Sequence, residues 1–136
     1  MAGDSLLVGF NVPFPQPDAA ARAWRTAHDM VESFAAVLAR WTASGGVPTG
    51  LGIGIASGEA ILGNIGSPHY MSHTIIGDAV NTAARLVQAA QAGEILVSGV
   101  VYESVRAMVP AGATQTQRDM ALRGKAGETS IYSIRL

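Results

Sequence analysis

Thr74-Ile75-Ile76-Gly77-Asp78-Ala79-Val80-Asn81-Thr82-Ala83-Ala84-Arg85 is the stretch from which the fold of this chain can be read. It begins β-prone, and Gly77 stops the strand. Asp78 stands where an N-cap belongs, so a helix is expected from Ala79 to about Gln91, ended by Gly93. Asn81 and Arg85 are four positions apart, which places them on one helical face, one turn from each other. An amide and a guanidinium so placed can hold a sugar ring and a phosphate, because Arg offers a planar fork of donors suited to phosphate oxygens. Spacing alone favours a solvated Arg and an Asn that merely supports the first helical turn. Asp78 reads as a structural cap rather than a catalyst, since its charge would repel a phosphate.

Upstream, Leu51, Ile53 and Ile55 alternate with Gly52 and Gly54, the pattern of a strand with one apolar and one bare face. Ser57-Gly58-Glu59 is a turn, and Ala60 to Ile65 returns as a second strand. Before these, Asp18 is suited to cap a long helix from Ala19 to about Ala43. Its stripe of Ala23, Ala27, Met30, Phe34, Val37, Leu38 and Trp41 recurs at three- and four-residue steps. Pro13, Pro15 and Pro17 forbid regular structure ahead of it. Ser5 to Phe10 is short and apolar, and a buried strand is expected there. Downstream, Ile95 to Val97 reads as a strand, Ser98 as the cap of a helix through about Met108, and Thr114 to Leu136 as two strands joined around Gly124 to Gly127. Strands and helices alternate with hairpins between them. The expected class is α+β, a ferredoxin-like, antiparallel-rich sheet with helices on one face.

Bulk properties narrow the function. The chain of 136 residues has the length of one domain and is 49% hydrophobic, enough to bury a core. A formal net charge of -1 gives no basic field for nucleic acid. With no cysteine there is no disulfide framework and no thiolate metal site, which fits a reducing compartment. No apolar run approaches the roughly 20 residues needed to span a bilayer, so no membrane segment is expected in the chain and a cytoplasmic location is. Met71, His69 and His73 lie together without a matching set of ligands, so no transition-metal site is expected there. Asp4, beside Gly3 at a hairpin tip, can bind Mg²⁺ through its carboxylate or serve as an ordinary turn residue. Lys125, in Arg123-Gly124-Lys125, can reach a phosphate or be a solvated charge.

Three blocks, read together, resemble the bacterial class III adenylate and guanylate cyclase catalytic domain. They are Gly52-Ile53-Gly54-Ile55-Ala56-Ser57-Gly58-Glu59, Gly63-Asn64-Ile65-Gly66-Ser67, and Thr74 through Leu86, with matching order and spacing. Leu122-Arg123-Gly124-Lys125 followed by Ile131-Tyr132 looks like that family's last hairpin, and Gly3-Asp4 before Leu6 to Phe10 looks like an earlier one. The resemblance covers residues 1–136 as one domain.

The resemblance implies a head-to-tail dimer with active sites at the interface. Two aspartates of one subunit hold two divalent ions, Mg²⁺ or Mn²⁺, on the nucleotide triphosphate. The other subunit supplies an Asn for the ribose and an Arg for the transition state, and the 3′-hydroxyl attacks the α-phosphate as pyrophosphate leaves. By position, Asn81 would be the ribose Asn, Arg85 the transition-state Arg, Asp4 the second metal Asp and Lys125 the triphosphate Lys. Thr74 falls at a purine-selecting position, where Thr is similar to a variant that goes with ATP. Metals and Arg would then neutralise charge growing on the phosphoryl group and leaving pyrophosphate.

The family begins with a strand bearing the first metal Asp, then a helical segment, then a strand bearing a purine-selecting Lys, and this sequence starts directly before Gly3-Asp4. The chain is therefore expected to be an N-terminally truncated adenylate cyclase domain, acting on ATP as a homodimer or with another cyclase domain, and inactive by itself. The competing expectation is a non-catalytic cyclase-homology module that dimerises with, or complements, a complete cyclase.

Overall fold

The structure, a computed structural model, describes residues 4–67, 70–122 and 127–136. Helix α1 runs Ala19–Ala43, and its N-terminal half carries the inward stripe of Ala20, Ala23, Trp24, Ala27 and Val31. Asp18 sits at its N-cap but makes no capping bond; its Oδ1 accepts a hydrogen bond from Arg22 Nε at 2.8 Å instead. Strands β1 (Ile53–Ile55), β2 (Ile61–Ser67) and β3 (Tyr70–Ile76) follow, then helix α2 (Asp78–Ala89), strand β4 (Glu94–Ser98) and helix α3 (Gly99–Val105). A 3₁₀ turn over Arg106–Met108 leads to strands β5 (Thr114–Ala121) and β6 (Glu128–Arg135).

Four strands form one sheet in the order β1-β4-β6-β5. β1 runs parallel to β4, and the other two pairings are antiparallel. β2 and β3 form a separate antiparallel hairpin, in register from Ile61↔Ile76 to Ser67↔Tyr70.

The alternation along β4 and β6 divides the core in two. Ile95, Val97 and Ile134 face α1 and α3, packing with Ile55, Trp24, Ala27, Val101 and Val105. Leu96 and Ile131 face the other way and pack against Leu86 of α2. The α+β, antiparallel-rich class expected from the sequence is the one observed. The arrangement of helices differs from expectation: α1 and α3 share one face, and α2 covers the opposite one. The bare glycine face of β1 is what admits it.

Three local expectations are corrected. Ser5 to Phe10 is not a strand, and Leu6, Leu7 and Val8 are exposed. Apolar, β-prone residues need a neighbouring strand to complete the hydrogen-bond ladder, and no strand among the described residues pairs with them. Asp78 is not the cap of α2: Gly77 occupies that position, and Asp78 is an exposed acid in the first turn, favourable to the helix dipole. Ser98 precedes α3 as expected yet makes no capping bond, and its Oγ is buried without a partner among the described residues.

Candidate active site

Helix α2 is placed by glycines that let backbones approach. A Cβ on Gly54 would stand 2.7 Å from both the Ala83 carbonyl oxygen and Leu86 Cβ, so β1 must be bare where α2 crosses it. Gly77 has φ +150°, and a Cβ there would lie 2.5 Å from the Glu59 carbonyl oxygen and 2.9 Å from Ala60 Cα. The turn after β1 therefore presses directly on the start of the helix. The Val80 and Asn81 amides both donate to the Gly77 carbonyl, at 3.1 and 3.2 Å, which closes the first turn.

With Leu86 fully buried beneath the helix, Asn81, Ala84, Arg85 and Gln88 fall on its outer side, and all four are exposed. The side chains of Asn81 and Arg85 have no hydrogen bond or ion pair among the described residues. An amide and a guanidinium thus stand one turn apart with their donors unengaged. Thr74 lies half-buried on β3, opposite Gly63 of β2. Only Gly77 separates β3 from α2, so Thr74, Asn81 and Arg85 ride on one strand–turn–helix unit.

Asp4 is exposed in a turn, with no hydrogen bond or ion pair among the described residues. It belongs to no group of three metal-ligating side chains there either; the group found is His28, Asp29 and Glu32, on α1. One exposed carboxylate does not fit a two-metal centre, so the described residues do not by themselves make one. Lys125 lies outside the described residues, as does His69. An apolar depression of about 260 Å³ between α1 and the Thr49–Leu51 and Ala92–Gly93 segments contains none of the candidate residues.

Two charged clusters were not singled out from the sequence. His28, Asp29 and Glu32 were legible as neighbours on an expected helix. Glu94 was not, because its partners come from distant positions. Its carboxylate, 3% exposed, accepts hydrogen bonds from the Ser133 hydroxyl and, at 2.9 Å, from the Gln91 amide. Arg118 and Arg135 lie 3.5 and 3.8 Å away. Burial pushes the Glu94 carboxyl up, but the Ser133 and Gln91 hydrogen bonds and the two guanidiniums outweigh it and hold it below the usual carboxylate range.

Comparison with known proteins agrees with this arrangement. The family described as "Adenylate and Guanylate cyclase catalytic domain" matches residues 1–135. An adenylate cyclase of Mycobacterium tuberculosis is 34% identical over 106 residues, which are 78% of this chain and 23% of that protein. The adenylyl cyclase CyaB from P. aeruginosa superposes with a TM-score of 0.72 at 28% identity, covering 95% of this chain and 69% of that one. The guanylyl cyclase Cya2 gives 0.75 at 27% identity, covering 92% and 62%. The chain thus spans about a quarter of the mycobacterial protein and about two thirds of each solved cyclase chain. From the glycine-set helix, the sheet and the matched residues, the chain belongs to the adenylate and guanylate cyclase catalytic domain family.

Proposed function

We propose that this chain acts as an adenylate cyclase domain, converting ATP to cyclic AMP and pyrophosphate at an interface with a second cyclase domain. The observation that carries this reading is the unengaged pair of Asn81 and Arg85 on the outer side of α2. Exposed side chains with no hydrogen bond or ion pair among the described residues are available to a nucleotide held from outside. The Asn81 amide would fix the ribose so that its 3′-hydroxyl faces the α-phosphorus. The Arg85 guanidinium would meet the phosphoryl oxygens as charge builds on them, a donor placed where the transition state needs it. Thr74, at the base of the same unit, would meet the purine and favour ATP over GTP. Lys125 is assigned to the triphosphate. Asp4 is assigned to the divalent ions, Mg²⁺ or Mn²⁺, together with a second carboxylate that the described residues do not provide. In this reading residues 1–136 belong to one cyclase catalytic domain working in the cytoplasm, where ATP is available.

A second reading is favoured by the isolation of Asp4: a non-catalytic cyclase-homology module that pairs with a complete cyclase and contributes only Asn81 and Arg85.

The test mixes the chain with a cyclase half that keeps both metal aspartates but lacks its own transition-state Arg. The chain alone with ATP and Mn²⁺ is expected to yield no cyclic AMP above background. The mixture is expected to yield cyclic AMP, and cyclic GMP poorly from GTP. Cyclic GMP as the main product would overturn the assignment of ATP. A mixture that associates without producing either nucleotide would count against both readings, since each has Asn81 and Arg85 completing the partner's site.

A further inference from the structure

We propose that His28, Asp29 and Glu32 of α1 form a site for one divalent cation of zinc's kind, distinct from the nucleotide-facing residues of α2. One ligand atom from each of the three lies within 4.8 Å of the other two. His28 Nε2 is 3.7 Å from Glu32 Oε1, whereas Asp29 Oδ1 is 3.9 Å from the other ring nitrogen, Nδ1, so Asp29 must swing round to share an ion held at Nε2. Both separations are too long for hydrogen bonds, so neither carboxylate is locked onto the imidazole. Metal–ligand lengths of about 2.0–2.2 Å place tetrahedral ligand atoms about 3.4 Å apart. Ligand atoms up to 4.8 Å apart must therefore close by up to about 1.4 Å. Asp29 and Glu32 can supply that movement, since their side chains are 80% and 67% exposed.

The histidine is the most covered of the three. Its side chain is 25% exposed, and its ring stands edge-on to that of the buried Trp24, with centroids 6.3 Å apart. That contact restricts the imidazole by packing alone. The i, i+4 spacing of His28 and Glu32 keeps both donors on one face for as long as the helix persists. One imidazole and two carboxylates suit zinc and its neighbours better than Mg²⁺ or Ca²⁺, which take oxygen ligands. No cation other than His28 itself pairs with Asp29 or Glu32 among the described residues.

Beside the cluster is a shallow depression of about 270 Å³ lined by Trp24, Arg25, His28, Asp29 and Met108, with room for the water that completes the coordination. Arg25 brings a positive charge to the same depression and weakens cation binding there. Removing that charge should therefore tighten it. The site does not rest on the cyclase reading, because none of these residues is assigned to the nucleotide.

Calorimetric titration of the whole chain with Zn²⁺ tests the site. One saturable equivalent is expected, and Zn²⁺ is expected to raise the thermal midpoint. His28→Ala and Glu32→Gln are each expected to weaken binding at least about tenfold, and Arg25→Gln to strengthen it. Circular dichroism checks that each variant keeps its helix. Uptake unchanged in His28→Ala, or in the pair Asp29→Asn with Glu32→Gln, would overturn the site. Loss of uptake in Arg85→Ala with full uptake in His28→Ala would do so as well.

Discussion

Gly77 and Glu59 touch through their backbones: a Cβ on Gly77 would stand 2.5 Å from the Glu59 carbonyl oxygen. This contact seats the first turn of α2 against the turn that follows β1. Gly77→Ala meets backbone on one side and a φ of +150° on the other, and neither yields cheaply. The substitution is expected to destabilise the domain by about 1–3 kcal/mol, read from urea denaturation. It should also shift Asn81 and Arg85, so cyclic AMP formation in the mixed assay should fall further than the folded fraction does.

Arg85 is exposed and has no ion pair among the described residues, so its removal should leave the fold intact. Arg85→Ala is expected to keep the wild-type denaturation midpoint while reducing turnover in the mixed assay by about 10²–10³-fold. Arg85→Lys should remain impaired, because an ammonium cannot reproduce the planar fork of donors. Recovery of full activity in the Lys variant would show that only charge matters at this position.

Leu86 is fully buried between α2, β4 and β6. Leu86→Ala opens a cavity at that junction and is expected to cost about 2–5 kcal/mol. The loss should appear in both the denaturation midpoint and the activity, in contrast to Arg85→Ala.

Glu94 gives the fold a defined acid sensitivity. Its folded-state carboxyl is held below the unfolded value, so it contributes stability above roughly pH 4.3, its unfolded range, and loses that contribution as pH falls through the folded value. The stability of the wild-type chain is therefore expected to decline more steeply between about pH 5 and pH 3 than that of Glu94→Gln. At neutral pH, Glu94→Ala should cost about 1–3 kcal/mol, since it strands the Ser133 hydroxyl and the Gln91 amide.

Much of this architecture was legible because it is written locally. The observed bounds of α1, Ala19–Ala43, are those expected, but only part of its expected stripe packs: Ala23 and Ala27 do, Trp24 takes the central place the stripe did not give it, and Val37 and Trp41 are exposed. The pair Asn81 and Arg85 follows from spacing once α2 is recognised. What was not legible depends on remote partners. Leu6 to Val8 has the composition of a strand, but pairing is a property of two segments, and composition reports on one. The opposite placement of α2 follows from the glycines of β1, whose bare face implied a close neighbour without naming it. Asp78 lost the cap to Gly77 because only glycine fits beside Glu59 at that φ. The setting of Glu94 draws on Gln91, Arg118, Ser133 and Arg135, which no short window contains.

Leu6, Leu7 and Val8 stand exposed outside any strand, while neighbouring Gly9 is packed against Ile75 of β3. A protease that cuts after large apolar residues will read this stretch as substrate. Any surface that comes to cover it will shield it. The rate of cleavage there is thus a built-in gauge of occupancy, and it can report engagement of the domain without a label and without turnover.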